Sequence, residues 1–304
     1  MPMLDANGLQ IAYEEFGDPL SPPMLLIMGL GAQMILWRDA FCEQLAARGY
    51  RVIRFDNRDI GQSTWLDDRA TPNLLAVMSA ALAHQPIDAP YRLSDMAADA
   101  AGLLDALGIA RAHVVGASMG GMIAQTLAIE HPTRVRSMTS IMSTTGNPDL
   151  PPPSPTATAV LMTPPSGRAA AIEHGVNVYR TIGSPGFEFD EAEARTLAAR
   201  SFDRGFNPAG VLRQLVAIIA SGSRVAALRQ LSVPALVVHG TEDPLVPFAA
   251  GRDTAGAIPG AQFLAIEGMG HDMPRPLWPR LIDAICALAA RADAADAGPA
   301  RASA

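Results

Sequence analysis

The chain has 304 residues, of which 49% are hydrophobic and 17% charged, and its formal net charge at pH 7 is −7. This length and apolar content suffice for a large buried core. The acidic balance, with no run of lysine and arginine, argues against a nucleic-acid partner, because phosphate binding needs clustered cations.

The amino terminus carries acidic residues where a signal peptide would carry a basic and then an apolar stretch. No run reaches the roughly 18 apolar residues that a membrane-spanning helix needs. We therefore expect a cytoplasmic protein without a membrane partner, either a monomer or a homodimer. Cys42 and Cys286 lie far apart and are expected to be buried free thiols, with one disulfide as the alternative.

Short apolar runs alternate with stretches of helical period along the first half of the chain, which favours a parallel sheet covered on both faces. Strands are predicted at 9–13 (as an edge strand), 24–28, 51–55, 113–115 and 137–142, and helices at 41–47, 93–107 and 119–130.

A proline-rich stretch that begins at residue 147 interrupts this alternation and is predicted to be irregular over much of its length. Helical patterns follow at 168–182, 190–203 and 208–220, then strands at 235–238 and 262–266 and a helix at 277–290. We therefore predict an α/β fold whose core comprises residues 1–146 and 229–290, with a helical cap insertion at 147–228 and a disordered tail at 291–304.

Ser118 lies between Gly116 and Gly120, where a predicted strand meets a predicted helix. A G-x-S-x-G sequence in this context is typical of a nucleophile elbow, in which small neighbours let backbone segments crowd a strained serine. The alternative is an ordinary serine that caps the helix amino terminus. A serine hydroxyl is a weak nucleophile, so the first hypothesis requires a base and an acid that orients it.

His271 is the best candidate for the base among six histidines, because it follows the glycine-rich GMG just beyond the last predicted strand. His239 ends a strand, where packing against a neighbouring turn is the usual role. Asp243 follows the strand at 235–238, and the proline after it favours this aspartate over Glu242 as the acid. The order serine, aspartate, histidine is one of those known for this chemistry. Asp272 is expected to stabilise the histidine loop.

Two backbone N–H groups are candidates for stabilising an oxyanion: that of Met119, at a helix amino terminus, and that of Leu30, in the loop after an early strand. The alternative for the second is a plain strand-to-loop turn. Apolar side chains that we expect to line the substrate pocket are Met28, Trp37, Met142 and Met269. Such an adaptable wall suits short- to medium-chain or methyl and aryl esters, although Trp37 and Met142 fit a core role equally well.

Four motifs in order, RVIRFDNRDIGQST, HVVGASMGG, VVHGTEDPLVP and GMGHDMP, resemble the landmarks of α/β-hydrolase-fold serine esterases. The similarity runs from about residue 9 to 289 and is greatest to bacterial carboxylesterases related to aclacinomycin methylesterase. It implies an α/β-hydrolase fold, a carboxylesterase without a cofactor, the catalytic residues Ser118, Asp243 and His271, and the oxyanion donors Leu30 and Met119. The chain departs from many relatives in having Met28 where they carry histidine.

Other readings of the sequence are less well supported. Ser118 argues against an aspartate nucleophile, as found in dehalogenases and epoxide hydrolases of this fold, and the GLG at 29–31 lacks the third glycine of a dinucleotide site. Neither HExxH nor a cysteine cluster supports a metal site. The same triad could carry out cofactor-free perhydrolase, haloperoxidase-type or lactonase chemistry, and a non-catalytic small-molecule receptor is a further alternative.

Overall fold

The computed structural model describes residues 2–163 and 165–296. Its strands are β1 (Met3–Ala6), β2 (Leu9–Phe16), β3 (Pro23–Ile27), β4 (Arg51–Phe55), β5 (Ala112–Ala117), β6 (Val135–Ile141), β7 (Ala235–Gly240) and β8 (Gln262–Ile266). They form one sheet in the order β1-β2-β4-β3-β5-β6-β7-β8. The six strands from β3 to β8 run parallel, while β1 and β2 pair antiparallel.

The helices are α1 (Asp39–Ala47), α2 (Leu74–Leu82), α3 (Leu93–Ala106), α4 (Met119–Glu130), α5 (Pro155–Leu161), α6 (Gly167–Ile182), α7 (Glu191–Arg204), α8 (Pro208–Ser221), α9 (Val225–Leu228), α10 (Phe248–Ala257) and α11 (Trp278–Asp296). Helices α3 and α4 pack on one face of the sheet, and α1 and α11 on the other. Successive residues of β3 therefore enter different layers of the core, Leu25 with α3 and α4 and Leu26 with α1 and α11. Burial on both faces explains why β3, with the sequence PMLLI, is continuously apolar.

A strand does form over the predicted residues 9–13, but its predicted place at the sheet edge is wrong, because β2 pairs with β1 on one side and β4 on the other. The edge is β1, which joins β2 through Asn7 and Gly8. Both turn residues have positive φ, 50° and 76°, as a two-residue hairpin of right-handed twist requires. The Asn-Gly pair was the signal for this hairpin.

Helices α5 to α9 lie between β6 and β7, and the described residues of this segment contain no strand. The proline-rich stretch is less irregular than predicted, since α5 begins at Pro155. Proline suits this first helical position, and the Ser154 side chain caps the helix by accepting a hydrogen bond from the Ala157 N–H at 3.1 Å. Helices α2 and α10 were not predicted. The division into core and cap domains stays a prediction, and the word cap denotes helices α5 to α9 with the loops that join them.

The last helix, α11, continues to Asp296, so the first residues of the predicted disordered tail are helical. The rest of that tail, 297–304, lies outside the described residues. Across residues 2–163 and 165–296, none of the helices combines the length and apolar character needed to cross a membrane.

Both cysteines are free thiols, as predicted, but only Cys42 is fully buried. Burial raises the pKa of the Cys42 thiol to about 12 and that of Cys286 to about 11. Both therefore stay protonated at neutral pH and are poor nucleophiles.

The cap is tied to the loop after β4 by a buried ion pair. Arg213 on α8 donates two hydrogen bonds to the Asp59 carboxylate, at 2.7 and 2.8 Å, and the Tyr91 hydroxyl donates a third at 2.8 Å. The side chains of Arg213 and Asp59 are 1% and 0% exposed. Because an unpaired buried charge is costly, this pair makes the cap and the core depend on each other.

Replacing Arg213 by methionine, which keeps the bulk and removes the charge, leaves Asp59 buried without its cation. We expect a loss of about 3 to 5 kcal/mol in the free energy of unfolding, measured by urea denaturation. The matched control is Arg168→Met, whose bidentate pair with Asp203 is more than half exposed and should change stability little. Equal effects of the two substitutions would contradict the role assigned to burial.

Candidate active site

Ser118 occupies the turn between β5 and α4 with φ 56° and ψ −122°, a backbone conformation that non-glycine residues rarely adopt. It stands at the amino-terminal cap position of α4, but its side chain makes no capping hydrogen bond. A Cβ on Gly116 would collide with the backbone of Gly120, and a Cβ on Gly120 with the backbone of Ile27. The glycines thus permit the crowded turn expected of a nucleophile elbow.

The structure brings Ser118, Asp243 and His271 together at the carboxyl ends of β5, β7 and β8. The distance from His271 Nε2 to Ser118 Oγ is 2.9 Å, and that from His271 Nδ1 to Asp243 Oδ2 is 2.7 Å. With the Nδ1–H donating to the carboxylate, Nε2 is free to accept the serine proton. This is the geometry required of a nucleophile, a base and an orienting acid.

Asp243 is held rigidly by its own turn. Its Oδ1 accepts hydrogen bonds from the backbone N–H groups of Leu245 and Val246 at 2.9 and 2.8 Å, which leaves Oδ2 for His271. Glu242 is exposed, whereas Asp243 is buried. This placement agrees with the preference for Asp243 over Glu242 as the acid that orients the histidine.

His239 supports the same turn, as its position at a strand end led us to expect. Its Nε2 donates to the Val246 carbonyl at 2.8 Å and lies 3.7 Å from Asp243 Oδ2. Burial lowers the pKa of His239, so the ring is neutral at pH 7. His271 is therefore the only histidine among the described residues in direct hydrogen-bond contact with Asp243.

Asp272 stabilises the loop that carries His271. The Ser184 hydroxyl donates to the Asp272 carboxylate and accepts a hydrogen bond from the Gly270 N–H at 2.9 Å. The His271 N–H also donates to the Ile182 carbonyl at the end of α6, at 2.7 Å. Burial raises the pKa of Asp272, an effect that the Ser184 hydroxyl opposes. The cap thus holds the histidine loop, which the sequence did not indicate.

The two candidate oxyanion donors belong to segments that adjoin Ser118. Met119 is the first residue of α4, where a backbone N–H has no acceptor within the helix. In the loop after β3, a Cβ built on Gly29 would stand 3.0 Å from Ser118 Cβ and 3.5 Å from its Oγ. The Gly29–Leu30 peptide therefore begins directly beside the serine. The role of Leu30 and Met119 as donors remains a prediction.

A cavity of about 2000 Å³ opens above Ser118 and His271, between the core and the cap. Of the predicted pocket residues, Met28, Trp37 and Met142 line it. Met269 does not, and its prediction is wrong: it is fully buried in the core layer formed with α1 and α11. The cause is that residues 268–270 fold back onto the end of β7, where the Met269 backbone lies against Gly240.

Much of the cavity wall comes from the cap. Apolar cap side chains that the sequence analysis missed include Val178, Phe187, Phe202, Leu212 and Leu215. An amphipathic helix pattern separates buried from exposed residues, but does not separate a core-facing side chain from a cavity-facing one. The part of the chain that the structure describes holds no group of three or more histidine, cysteine or acidic side chains suited to a metal ion.

Replacing Gly29 by alanine should disturb Ser118 without unfolding the protein, because the new methyl group meets a side chain at 3.0 Å. We expect labelling of Ser118 by diethyl p-nitrophenyl phosphate to slow about 10- to 100-fold, measured as p-nitrophenol release. Gly256→Ala is the control, since its Cβ would meet nothing within 4 Å. Unchanged labelling of the Gly29 variant would show that the loop does not constrain the serine.

Comparison with known proteins agrees with this architecture. Residues 22–174 match the model of the alpha/beta hydrolase fold family, and residues 220–276 match that of TAP-like proteins. The chain is 31% identical to rhodomycin D methylesterase DnrP of Streptomyces peucetius over 94% of its length and 96% of the relative's.

Less similar proteins bear other names. The chain is 28% identical to the putative non-heme bromoperoxidase BpoC of Mycobacterium tuberculosis, over 86% of this chain and 91% of that protein. A meta-cleavage product hydrolase from Pseudomonas fluorescens has the same fold, with a TM-score of 0.73 at 21% identity over 96% of this chain and 98% of its own. The predicted fold class is confirmed, and the chain belongs to the α/β hydrolase fold family.

Proposed function

We propose that this hydrolase is a serine carboxylesterase in which Ser118 is the nucleophile, His271 the general base and Asp243 the residue that orients it. The observation that carries the proposal is the chain of contacts from Asp243 through His271 to Ser118, at 2.7 and 2.9 Å, at the floor of a large cavity. A cysteine nucleophile at Cys42 is disfavoured, because burial raises the pKa of this thiol to about 12 and keeps it protonated.

In this mechanism His271 takes the proton of Ser118 as Oγ attacks the ester carbonyl, and the N–H groups of Leu30 and Met119 stabilise the resulting oxyanion. His271 then gives its proton to the departing alcohol. Water, activated by the same histidine, hydrolyses the acyl-enzyme and regenerates Ser118. Asp243 fixes the ring tautomer and stabilises the imidazolium.

The cavity favours an ester with a bulky, apolar side. Its volume of about 2000 Å³ exceeds the roughly 300 to 1,000 Å³ of pockets for drug-sized ligands. Apolar side chains such as Met28, Leu30 and Met142 stand around the serine. One relative is named a methylesterase. We therefore infer methyl or aryl esters of bulky apolar acids, or short- to medium-chain esters, as substrates.

A second candidate is perhydrolysis, which uses the same nucleophile and base with hydrogen peroxide in place of water. It is favoured only by the similarity to a protein named a putative non-heme bromoperoxidase. Peroxide-dependent bromination of monochlorodimedone, with acetate present, distinguishes perhydrolysis, which supports it, from ester hydrolysis, which does not.

Replacing Ser118 by alanine should reduce turnover of p-nitrophenyl butyrate by about three orders of magnitude or more, because the nucleophile is lost while the fold remains. Ser137→Ala is the control: this serine also bonds a histidine, His113 at 2.9 Å, but it is buried and takes no part in the site. Near-normal activity of the Ser118 variant would refute the mechanism. A wild-type protein that releases only one equivalent of p-nitrophenol would be a receptor rather than an esterase.

The proposed substrate class leads to a prediction about selectivity. In a series of p-nitrophenyl esters from acetate to palmitate, kcat/KM should reach its maximum at short to medium chains. The methyl ester of 2-naphthoic acid should also be hydrolysed, measured as release of naphthoate. A maximum at palmitate would point to a lipase and contradict the proposed substrate class.

A further inference from the structure

The loop that presents the Leu30 N–H is a tight turn whose peptide groups are held one by one. The Met28 carbonyl accepts a hydrogen bond from Asn57 Nδ2 at 2.9 Å, and the Gly29 carbonyl accepts one from the Ala32 N–H at 3.2 Å. In a trans peptide the N–H points away from the carbonyl. Anchoring the Gly29 carbonyl therefore fixes the direction in which the Leu30 N–H points.

The third anchor comes from the cap. The Gly31 N–H donates to Oε1 of Gln214, on α8, at 2.9 Å. Gly31 has φ 66° and stands at the third position of the Gly29–Ala32 turn, where a type II turn needs glycine. Because type I and type II turns differ by a flip of the central peptide, the Gln214 contact selects one orientation of the peptide between Leu30 and Gly31.

Gln214 is itself immobilised. Its side chain is fully buried, and its Nε2 donates to the Arg58 carbonyl at 2.8 Å. The neighbouring Arg213 binds Asp59, and the N-terminal turn of α8 packs on the same loop, where a Cβ on Gly210 would collide with the Asp59 carbonyl. Because the Gln214 oxygen and nitrogen each have a hydrogen-bond partner, the amide has one orientation, with its oxygen towards Gly31.

We infer that Gln214 is a positioning residue that holds the oxyanion loop in its working conformation, so that one wall of the oxyanion hole is set by the cap. The inference rests on the proposed function of Ser118 and Leu30. Without the Gln214 oxygen, the Gly31 N–H loses its acceptor in the protein. Because Gly31 is exposed to the cavity, the central peptide of the turn can then rotate and bond water instead. That motion displaces the loop beside Ser118 but leaves the contacts of His271 and Asp243 in place.

The test compares three variants on p-nitrophenyl butyrate. Gln214→Met removes the acceptor and keeps the bulk, and Gln214→Glu keeps an oxygen that can accept from Gly31. Gln125→Met is the matched control, because Gln125 is equally buried and also bonds at both ends, to Ser140 and Arg224. Titration with a p-nitrophenyl phosphonate counts competent Ser118, so kcat is expressed per active site.

For Gln214→Met we expect kcat to fall about 10- to 100-fold while KM changes little, since a weakened oxyanion contact acts in the transition state. The lower arm of the pH–kcat profile should not move, because His271 and Asp243 are untouched. Gln214→Glu should retain more of kcat than Gln214→Met, and Gln125→Met should keep wild-type kcat.

Wild-type kcat in Gln214→Met, an equal loss in Gln125→Met, or a Glu variant as impaired as the Met variant would each overturn the inference. If Gln214→Met does not fold, Gln214→Ser takes its place, and wild-type kcat per site in that variant overturns the inference as well. Turnover by Ser118→Ala in the same assay would instead refute the proposed function, so the two failures are distinguishable.

Discussion

Two buried carboxylates after β4 obtain their counter-charges from the cap, and the rest of the structure depends on this arrangement. Asp59 is paired with Arg213, and Asp56 with Arg204 at 2.9 Å. Both carboxylates are fully buried, which would cost several kcal/mol each if they were unpaired. The loop after β4 therefore requires α7 and α8 above it, and those helices require the loop. These two ion pairs thus hold α7 and α8 against the carboxyl end of β4, next to the cavity.

The same loop also shapes the site. Asp56 Oδ1 accepts a hydrogen bond from the Met34 N–H at 2.7 Å, and Asn57 holds the Met28 carbonyl. One short polar segment thereby anchors both ends of residues 28–34, which run along the cavity wall. Across the cavity, the Ile182 carbonyl holds the His271 loop. A cavity wall and a histidine loop that are both held by specific hydrogen bonds are preorganised, which is what electrostatic stabilisation of a transition state needs.

The features that could be predicted from the sequence are those whose causes are local. The elbow at Ser118 follows from two glycines and a serine at the junction of a strand and a helix, and the bounds of β4, α4 and β8 agree with the predicted ranges. Asp243 and His271 could be selected as candidates because each follows a predicted strand, and the carboxyl ends of parallel strands meet at the same edge of the sheet. Met269 was misassigned since its loop turns back onto β7, and the hairpin at Asn7 was overlooked although its turn signal was present.

The sequence by itself determined the alternation of strands and helices, the candidate nucleophile, base and acid, and their order along the chain. It did so because hydrophobic periodicity, turn residues and the residues that follow a strand are all read from neighbouring positions in the chain. Only the tertiary structure decided which apolar side chains face the cavity, which arginines neutralise Asp56 and Asp59, and that Gln214 reaches Gly31. These contacts join residues far apart in the chain, and hydrophobic periodicity records that a side chain is buried without recording what it is buried against.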